Sequence, residues 1–229
     1  MLLKDVLIIF VKYPKPGSVK TRLAKQIGKE KAALLYHFLV KTVLARTKSR
    51  GYSRIIFYSP EIPKKRFKEW LGGDFIFYPQ KGSNLGKRLL GAFKFIFKHD
   101  AKRIVCIGTD SPLINSRIID QAFRILRNKQ CVLGPADDGG YYLIGLSSLN
   151  EGIFKGISWG AKKVFRQTLE KIKSRKIEYG ILDKSFDIDT YEDIAILRKG
   201  LKKAYCADSG GIKLLMFALD NVFKHSLYL

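Results

Sequence analysis

The chain alternates short apolar runs with longer segments in which apolar residues recur every three or four positions. Short apolar runs bounded by Gly, Pro or polar residues predict buried strands, and the longer spacing predicts amphipathic helices. The predicted strands are residues 5–11, 54–59, 75–80, 103–108, 131–136 and 141–146. The predicted helices are residues 28–49, 63–71, 84–100, 116–128, 161–175 and 191–204.

This alternation of strand and helix favours an α/β fold with a mainly parallel sheet and helices on both faces. A length of 229 residues fits one such domain, which we place at residues 1–205. Residues 206–229 are predicted as a helical extension that packs on this domain or on a partner subunit, as in a homodimer, because "IKLLMFALDNVF" is too apolar for a free tail. No apolar run is long enough to predict a membrane span.

The composition is strongly basic, with 43 Lys and Arg residues against 20 Asp and Glu residues and a formal net charge of +23. Such an excess attracts nucleic acid, anionic membrane or phosphorylated small molecules. The basic residues are spread along the chain and no nucleic-acid-binding signature occurs, so we expect no specific nucleic-acid partner. Three widely spaced cysteines without a CxxC pair indicate no zinc knuckle and suit a reducing cytoplasm.

The loop "KYPKPGSVKTR" follows the first predicted strand, and ligands of parallel α/β sheets bind beyond the carboxyl ends of the strands. Pro14 and Pro16 stiffen this loop, and Gly17 lets the backbone approach an anion. The backbone N–H groups of residues 17–20 have no evident partner in the sequence pattern. The loop also carries four cations within eleven residues, which are Lys12, Lys15, Lys20 and Arg22.

The same loop fails as a Walker P-loop, because Val19 and Pro14 stand where that motif requires glycine. A stiff cationic turn after a buried strand nevertheless favours phosphate binding over a merely solvated loop, because the fold itself does not require four cations in this turn. Arg can hold phosphate oxygens with a two-pronged fork, while Lys acts as a point charge.

Carboxylates follow other predicted strands or precede a helix. Asp110 lies in "GTDSP", Asp137 and Asp138 lie in "GPADDGG", and Asp189 lies in "DIDT". Each has a structural alternative as a turn former or a helix-start residue. Together with the cationic loop they fit a metal–phosphate site better, because Mg²⁺ in phosphate chemistry is held by one or two carboxylates, phosphates and water.

Six segments occur in a fixed order: "FVKYPKPGSVKTRLA", "QKGSNLGKRL", "IGTDSPLI", "LGPADDGGYYLIGL", "ISWG" and "FDIDTYEDI". In this order they resemble the DUF2064 family, also called rSAM/selenodomain-associated transferases, of the GT-A nucleotide-diphospho-sugar transferase superfamily. The resemblance spans residues 4–200 and extends to the related 2-phospho-lactate guanylyltransferases. It implies a GT-A Rossmann-like domain, a nucleotide at the end of the first strand, and a divalent metal on Asp110 with Asp189 as a second ligand.

The sequence departs from the family pattern at three positions. Asn84 stands where the family resemblance implies an acidic residue, Lys87 where Glu is frequent, and Tyr191 where Pro is usual. If the segment around Asn84 binds the base or the sugar of the ligand, these differences predict a different ligand for this chain than for its relatives.

These patterns predict a metal–phosphate site, and the resemblance implies a metal-dependent transferase that uses Mg²⁺ or Mn²⁺ and a nucleoside triphosphate or nucleotide sugar. Nucleotidyl transfer to a small phosphorylated acceptor is favoured, because the cations at the first strand end suit a triphosphate. A glycosyltransferase and a non-catalytic polyanion-binding protein are the alternatives. The predicted catalytic residues are Lys20, Arg22 and Asp110, and the predicted metal ligands are Asp110 and Asp189. The predicted nucleotide-binding residues are Lys12, Pro16, Gly17, Ser18, Lys20, Arg22, Asn84, Gly108 and Thr109. The predicted substrate-binding residues are Asp137, Asp138, Gly139, Gly140 and Tyr141.

Overall fold

The computed structural model describes residues 4–185, 187–205 and 210–223. These residues form two compact units that are interleaved along the chain. The first unit takes its residues from the ranges 1–11, 49–108 and 116–186, and the second from the ranges 12–48, 109–115 and 187–229.

The first unit contains a seven-stranded sheet with the order β3-β2-β1-β4-β6-β5-β7. Its strands are β1 (Asp5–Val11), β2 (Ser53–Tyr58), β3 (Ile76–Pro79), β4 (Arg103–Ile107), β5 (Cys131–Pro135), β6 (Tyr141–Leu146) and β7 (Tyr179–Ile181). Strand β6 is antiparallel to β4 and β5, and the other pairs are parallel. The predicted α/β fold with a mainly parallel sheet is confirmed, with the six predicted strands and the additional β7.

The helices of the described residues are α1 (Thr21–Ile27), α2 (Lys29–Arg46), α3 (Lys64–Leu71), α4 (Leu85–Phe97), α5 (Ser116–Ile125), α6 (Val164–Ser174), α7 (Tyr191–Tyr205) and α8 (Gly210–Phe223). A 3-10 helix covers Glu151–Phe154. The six predicted helices are all present. Helix α1 was not predicted, because seven residues give too short a pattern to be separated from α2.

The core of the first unit explains the uninterrupted apolar run of β1. Residues Val6 to Ile9 have no exposed surface, because β1 lies between β2 and β4 and both of its faces are covered. On one face, Phe93 of α4 and Ile172 of α6 join the same hydrophobic cluster as Ile8. Helix α5 lies on the opposite face, where Leu126, just beyond its end, approaches Gly145 of β6. Helices therefore cover both faces of the sheet within this unit.

The second unit is helical. Helix α1 packs on α2, and α8 lies against both α2 and α7. Leu215 and Leu219 of α8 are buried, and Nη2 of Arg198 on α7 donates a hydrogen bond to the carbonyl oxygen of Leu219 (3.3 Å). The apolar segment 212–223 thus forms a helix that packs on its own chain. The proposed domain boundary at residue 205 stays a prediction.

No helix within residues 4–185, 187–205 and 210–223 combines the length and the apolar character that crossing a bilayer requires.

The packing of α8 predicts a large cost for Leu215→Ala, because the side chain is fully buried. We expect the free energy of unfolding to fall by about 2–5 kcal/mol. Leu34→Ala is the matched control, because Leu34 on α2 is 46% exposed, and its effect should stay within about 0.5 kcal/mol. Urea unfolding measures both values. Equal effects of the two substitutions would show that α8 contributes nothing to the stability of the folded chain.

Candidate active site around Lys20, Asp110 and Asp189

Lys20 ends the loop that follows β1 and is the N-cap residue of α1, with a left-handed backbone at φ 47° and ψ 45°. Its side chain is only 3% exposed. The ammonium forms an ion pair with Oδ1 of Asp110 and lies 3.2 Å from Oδ1 of Asp189. A buried ammonium is tolerated only when opposite charges compensate its lost hydration, and here two carboxylates do so.

The two carboxylates also determine the protonation state of Lys20. Burial alone would lower the pKa of Lys20, because it disfavours the charged form. The charges of Asp110 and Asp189 and their hydrogen bonds outweigh burial, so that the pKa of Lys20 is raised above its ordinary value of 10.5. Lys20 is therefore a permanent cation at physiological pH.

The carboxylates are much more open to solvent than the ammonium between them. The Asp110 side chain is 49% exposed and the Asp189 side chain is 38% exposed. Nη1 of Arg22 lies 3.8 Å from Oδ2 of Asp189, and the Arg22 side chain is 72% exposed. The two carboxylates are therefore accessible to solvent. The buried cation Lys20 and the exposed cation Arg22 lie beside them.

Backbone contacts hold the segment before α7 next to Asp110. The backbone N–H of Ile188 donates to the carbonyl oxygen of Asp110 (3.1 Å). Oδ2 of Asp193 accepts from the backbone N–H groups of Asp189 (2.8 Å) and Thr190 (2.7 Å). Asp193 therefore supports the start of α7, and the Asp189 carboxylate remains directed to the cations instead of serving as a helix cap.

Tyr36 is a supporting residue that the sequence did not reveal. It is buried on α2, and its hydroxyl oxygen accepts from the backbone N–H of Lys12 (3.1 Å) and shares a hydrogen bond with Oγ1 of Thr109 (2.9 Å). Burial, together with the charge of Asp110, raises the pKa of Tyr36 to about 12. Tyr36 thus ties the start of the cationic loop to the residue preceding Asp110. A tyrosine in an apolar helix position carries no sequence signal for this role.

The loop residues predicted to bind nucleotide are exposed and include Lys12, Pro16, Gly17 and Ser18. Gly17 has φ 79°, a conformation that favours glycine. The backbone N–H of Ser18 donates to the carbonyl oxygen of Lys15 (3.0 Å). The expectation that residues 17–20 all present free N–H groups is therefore wrong for Ser18, whose N–H closes a turn.

The other predicted site residues belong to the first unit, where local structure accounts for several of them. Gly108 directly follows β4. Oδ1 of Asn84 accepts from the backbone N–H of Lys87 (2.9 Å), which makes Asn84 the N-cap of α4. Oδ1 of Asp138 accepts from the backbone N–H of Gly140 (2.8 Å) and forms a turn. Asp137 pairs with Lys184 at 2.5 Å on the surface. A role of these residues in binding stays a prediction.

Three of the segments that carry the family resemblance also meet in the first unit. A Cβ added at Gly86 would lie 2.3 Å from Nε1 of Trp159, so the indole packs directly on the first turn of α4. Tyr141 lies edge-on to Trp159 with 6.4 Å between ring centroids, and it packs against the hydrophobic core. A Cβ at Gly139 would clash with the carbonyl oxygen of Lys162 at 1.9 Å. Close packing thus requires the glycines in these segments.

The donor set at Asp110 and Asp189 fits a divalent metal. Both residues offer carboxylate oxygens, which Mg²⁺ and Mn²⁺ prefer, and both converge on a single cationic nitrogen. Among the described residues, no group of three or more His, Cys, Asp or Glu side chains is able to hold a metal. A metal at this pair would therefore need water and substrate oxygens for its remaining ligands.

Comparisons with known proteins identify the family of the chain. The profile of the family described as "Uncharacterized protein conserved in bacteria (DUF2064)" matches residues 42–161. The chain is 30% identical to the 2-phospho-L-lactate guanylyltransferase of Methanocaldococcus jannaschii over 190 residues, which cover 78% of this chain and 76% of the relative.

Solved structures show the same fold. A protein of Desulfovibrio desulfuricans G20, described as a nucleotide-diphospho-sugar transferase, aligns with a TM-score of 0.88 and 34% identity over 96% of this chain and 97% of its own. Rv0371c of Mycobacterium tuberculosis in complex with manganese aligns with a TM-score of 0.53 over 86% of this chain and 99% of its own. At 11% identity, the second match shows the fold alone. The GT-A Rossmann-like fold that the resemblance implied is confirmed.

The hydrogen bonds of Tyr36 predict that Tyr36→Phe removes the partner of the buried Thr109 hydroxyl and of the partly buried backbone N–H of Lys12. We expect the free energy of unfolding to fall by about 1–3 kcal/mol. A double-mutant cycle with Thr109→Val tests the contact itself, because the double variant should lose less than the sum of the single losses. Strictly additive losses in urea unfolding would refute a direct Tyr36–Thr109 interaction.

Proposed function

The chain belongs to the DUF2064 family and is a nucleotide-dependent transferase, and we propose that it transfers a nucleotidyl group from a nucleoside triphosphate to a small phosphorylated acceptor. The observation that carries this proposal is the position of Lys20 between Asp110 and Asp189, directly after a cationic loop. The relative from M. jannaschii is named as a guanylyltransferase, which supports nucleotidyl transfer as the reaction type.

The cationic loop is proposed to bind the phosphates of the nucleotide. Lys12 and Lys15 are exposed, and Arg22 is exposed on the first turn of α1. The positive φ of Gly17 allows the turn that brings backbone close to a phosphate. Arg22 can bind two phosphate oxygens at once, while Lys20 supplies a second positive charge.

In the proposed reaction an oxygen of the acceptor phosphate forms a bond to the α-phosphorus, and the bond from the α-phosphorus to the pyrophosphate oxygen breaks. The electron pair of the broken bond leaves with pyrophosphate. Lys20 and Arg22 stabilise the negative charge that accumulates on the phosphate oxygens, and the loop aligns the triphosphate for the attack. Asp110 and Asp189 would hold Mg²⁺ or Mn²⁺, which when bound neutralises phosphate charge.

Glycosyl transfer from a nucleotide sugar is the second candidate, and the likeness to the D. desulfuricans protein favours it. The same metal and phosphate contacts would then serve a nucleoside diphosphate leaving group, and Asp137 or Asp138 would contact the sugar or its acceptor. The two reactions release different products, which are pyrophosphate for nucleotidyl transfer and a nucleoside diphosphate for glycosyl transfer.

We also place the protein in a reducing compartment, the cytoplasm. Cys106 and Cys131 support this proposal, because both are free thiols buried in the sheet. Burial raises the pKa of the Cys131 thiol to about 12 and makes it unreactive.

A thermal-shift panel of nucleoside triphosphates and nucleotide sugars, with and without Mg²⁺ or Mn²⁺, identifies the ligand, because a ligand bound to the folded state raises the unfolding temperature. Phosphorus NMR of the reaction with phosphorylated acceptors then identifies the product. Metal-dependent stabilisation by a triphosphate and release of pyrophosphate are expected. Stabilisation by nucleotide sugars alone, with release of a nucleoside diphosphate, would favour glycosyl transfer.

Asp110→Ala is expected to abolish metal-dependent nucleotide binding and to leave the fold intact. The reason is that it removes one of the two carboxylates that would hold the metal, at a half-exposed position. Asp120→Ala on α5 is the charge-matched control and should leave binding unchanged. Isothermal titration calorimetry measures both variants. Metal-dependent affinity that survives in Asp110→Ala would exclude Asp110 as a ligand.

Arg22→Ala should weaken nucleotide binding about ten- to a hundredfold, because a charge-assisted hydrogen bond contributes about 1.5–3 kcal/mol. Arg22→Lys keeps the charge but loses the fork, so it should be damaging to a smaller extent. Lys173→Ala removes an exposed cation of α6 and controls for general attraction by the basic surface. Equal small losses for Arg22→Ala and Lys173→Ala, at one salt concentration, would contradict specific phosphate binding by the loop.

A further inference from the structure

The Lys20 ammonium lies between the carboxylates of Asp110 and Asp189, the two groups that are proposed to hold the metal. We infer that the Lys20 ammonium is a displaceable cation, which competes with the divalent metal for the two carboxylates and moves to the nucleotide phosphates when the metal binds. This inference rests on the proposed function, because it describes how Lys20, the metal and the nucleotide phosphates share one site. It concerns the resting state of the chain and is separate from the identity of the reaction.

The contacts make simultaneous occupancy unfavourable. The ammonium uses Oδ1 of Asp110 and Oδ1 of Asp189, and Arg22 approaches Oδ2 of Asp189 at 3.8 Å. A divalent ion on the same oxygens would lie beside the buried ammonium, and like charges at such short separations repel each other. The carboxylates are each more than a third exposed, so a metal from solvent reaches them while Lys20 remains in place.

The protein offers the metal few ligands of its own. The described residues contain no group of three His, Cys, Asp or Glu side chains able to hold a metal, so Asp110 and Asp189 form at most a two-carboxylate site once Lys20 has left. The phosphate oxygens of a nucleotide would supply further ligands to the metal. They would also accept hydrogen bonds from the displaced Lys20 ammonium. Metal and nucleotide should therefore strengthen each other's binding, by the reciprocity of linked equilibria.

The side chain of Lys20 makes no capping hydrogen bond to α1, so the helix start does not hold its ammonium in place. The two ion pairs are the contacts that the structure gives its ammonium. Since those contacts are electrostatic and the site is open on the carboxylate side, exchange of one cation for another needs no rearrangement of the core.

Mn²⁺ binding without any nucleotide tests the competition directly. Electron paramagnetic resonance of free Mn²⁺ gives the affinity of the full chain, of Lys20→Gln, of Lys20→Met and of the control Lys25→Ala. Both Lys20 variants remove the competing charge and should bind Mn²⁺ about tenfold more tightly or better, within the usual range of coupling between sites. Lys25→Ala changes the net charge equally on the exposed side of α1, and its Mn²⁺ affinity should stay within about twofold of the unmodified chain.

One further variant, a double substitution, tests the position of the metal. Lys20→Gln combined with Asp110→Asn should lose the gained Mn²⁺ affinity, because the tight site is the carboxylate pair. Circular dichroism of each variant establishes that it is folded. Unchanged, weaker or absent Mn²⁺ binding by the folded Lys20→Gln and Lys20→Met variants would overturn the inference, and so would a gain that survives Asp110→Asn.

Nucleotide titrations separate this inference from the proposed function. In the unmodified chain, adenosine, guanosine, cytidine and uridine triphosphates are each tested for tightening of Mn²⁺ binding. Tighter Mn²⁺ binding by the Lys20 variants, with no nucleotide bound by the unmodified chain, supports the competition and refutes the proposed function. Nucleotide binding by the unmodified chain, without a gain of Mn²⁺ affinity in the Lys20 variants, refutes the competition and leaves the proposed function standing.

Discussion

The ammonium of Lys20 between the carboxylates of Asp110 and Asp189 is the interaction on which the rest of the site depends. Removing charges from water costs several kcal/mol for each ion, and the two carboxylates compensate the burial of Lys20. Lys20 and Asp189 are 169 residues apart in the sequence. The site therefore forms only when the second unit is folded. A ligand of this site should accordingly bind the folded unit and not the unfolded chain.

The surrounding structure serves mainly to keep these three side chains together. Tyr36 connects the loop after β1 to Thr109, and the backbone N–H of Ile188 holds the segment before α7 against Asp110. Asp193 takes over the capping of α7 and leaves Asp189 available for cations. The two carboxylates and Arg22 are consequently exposed to solvent while hydrogen bonds hold the segments that carry them.

The sequence predicted the elements with strong periodicity and missed those without it. The continuous apolar run of β1 predicted a buried strand, whereas β7 has three residues and α1 seven, which is too short for a periodic signal. The positions of Lys20, Asp110 and Asp189 after strands and before a helix made them candidates. Their mutual contact was beyond prediction, because spacing along the chain gives no distances between distant segments. The sequence therefore indicated a phosphate ligand at Lys20 but could not reveal that the carboxylates hold its ammonium.

A crystal structure with Mn²⁺ and a non-hydrolysable analogue of the nucleoside triphosphate tests the central claim most directly. The anomalous signal of manganese locates the metal independently of its ligands. We predict that the metal lies on Asp110 and Asp189, with the phosphates on the loop after β1 and the ammonium of Lys20 directed at a phosphate oxygen. Manganese and nucleotide bound elsewhere, with Lys20 still between the two carboxylates, would contradict the assignment of this site.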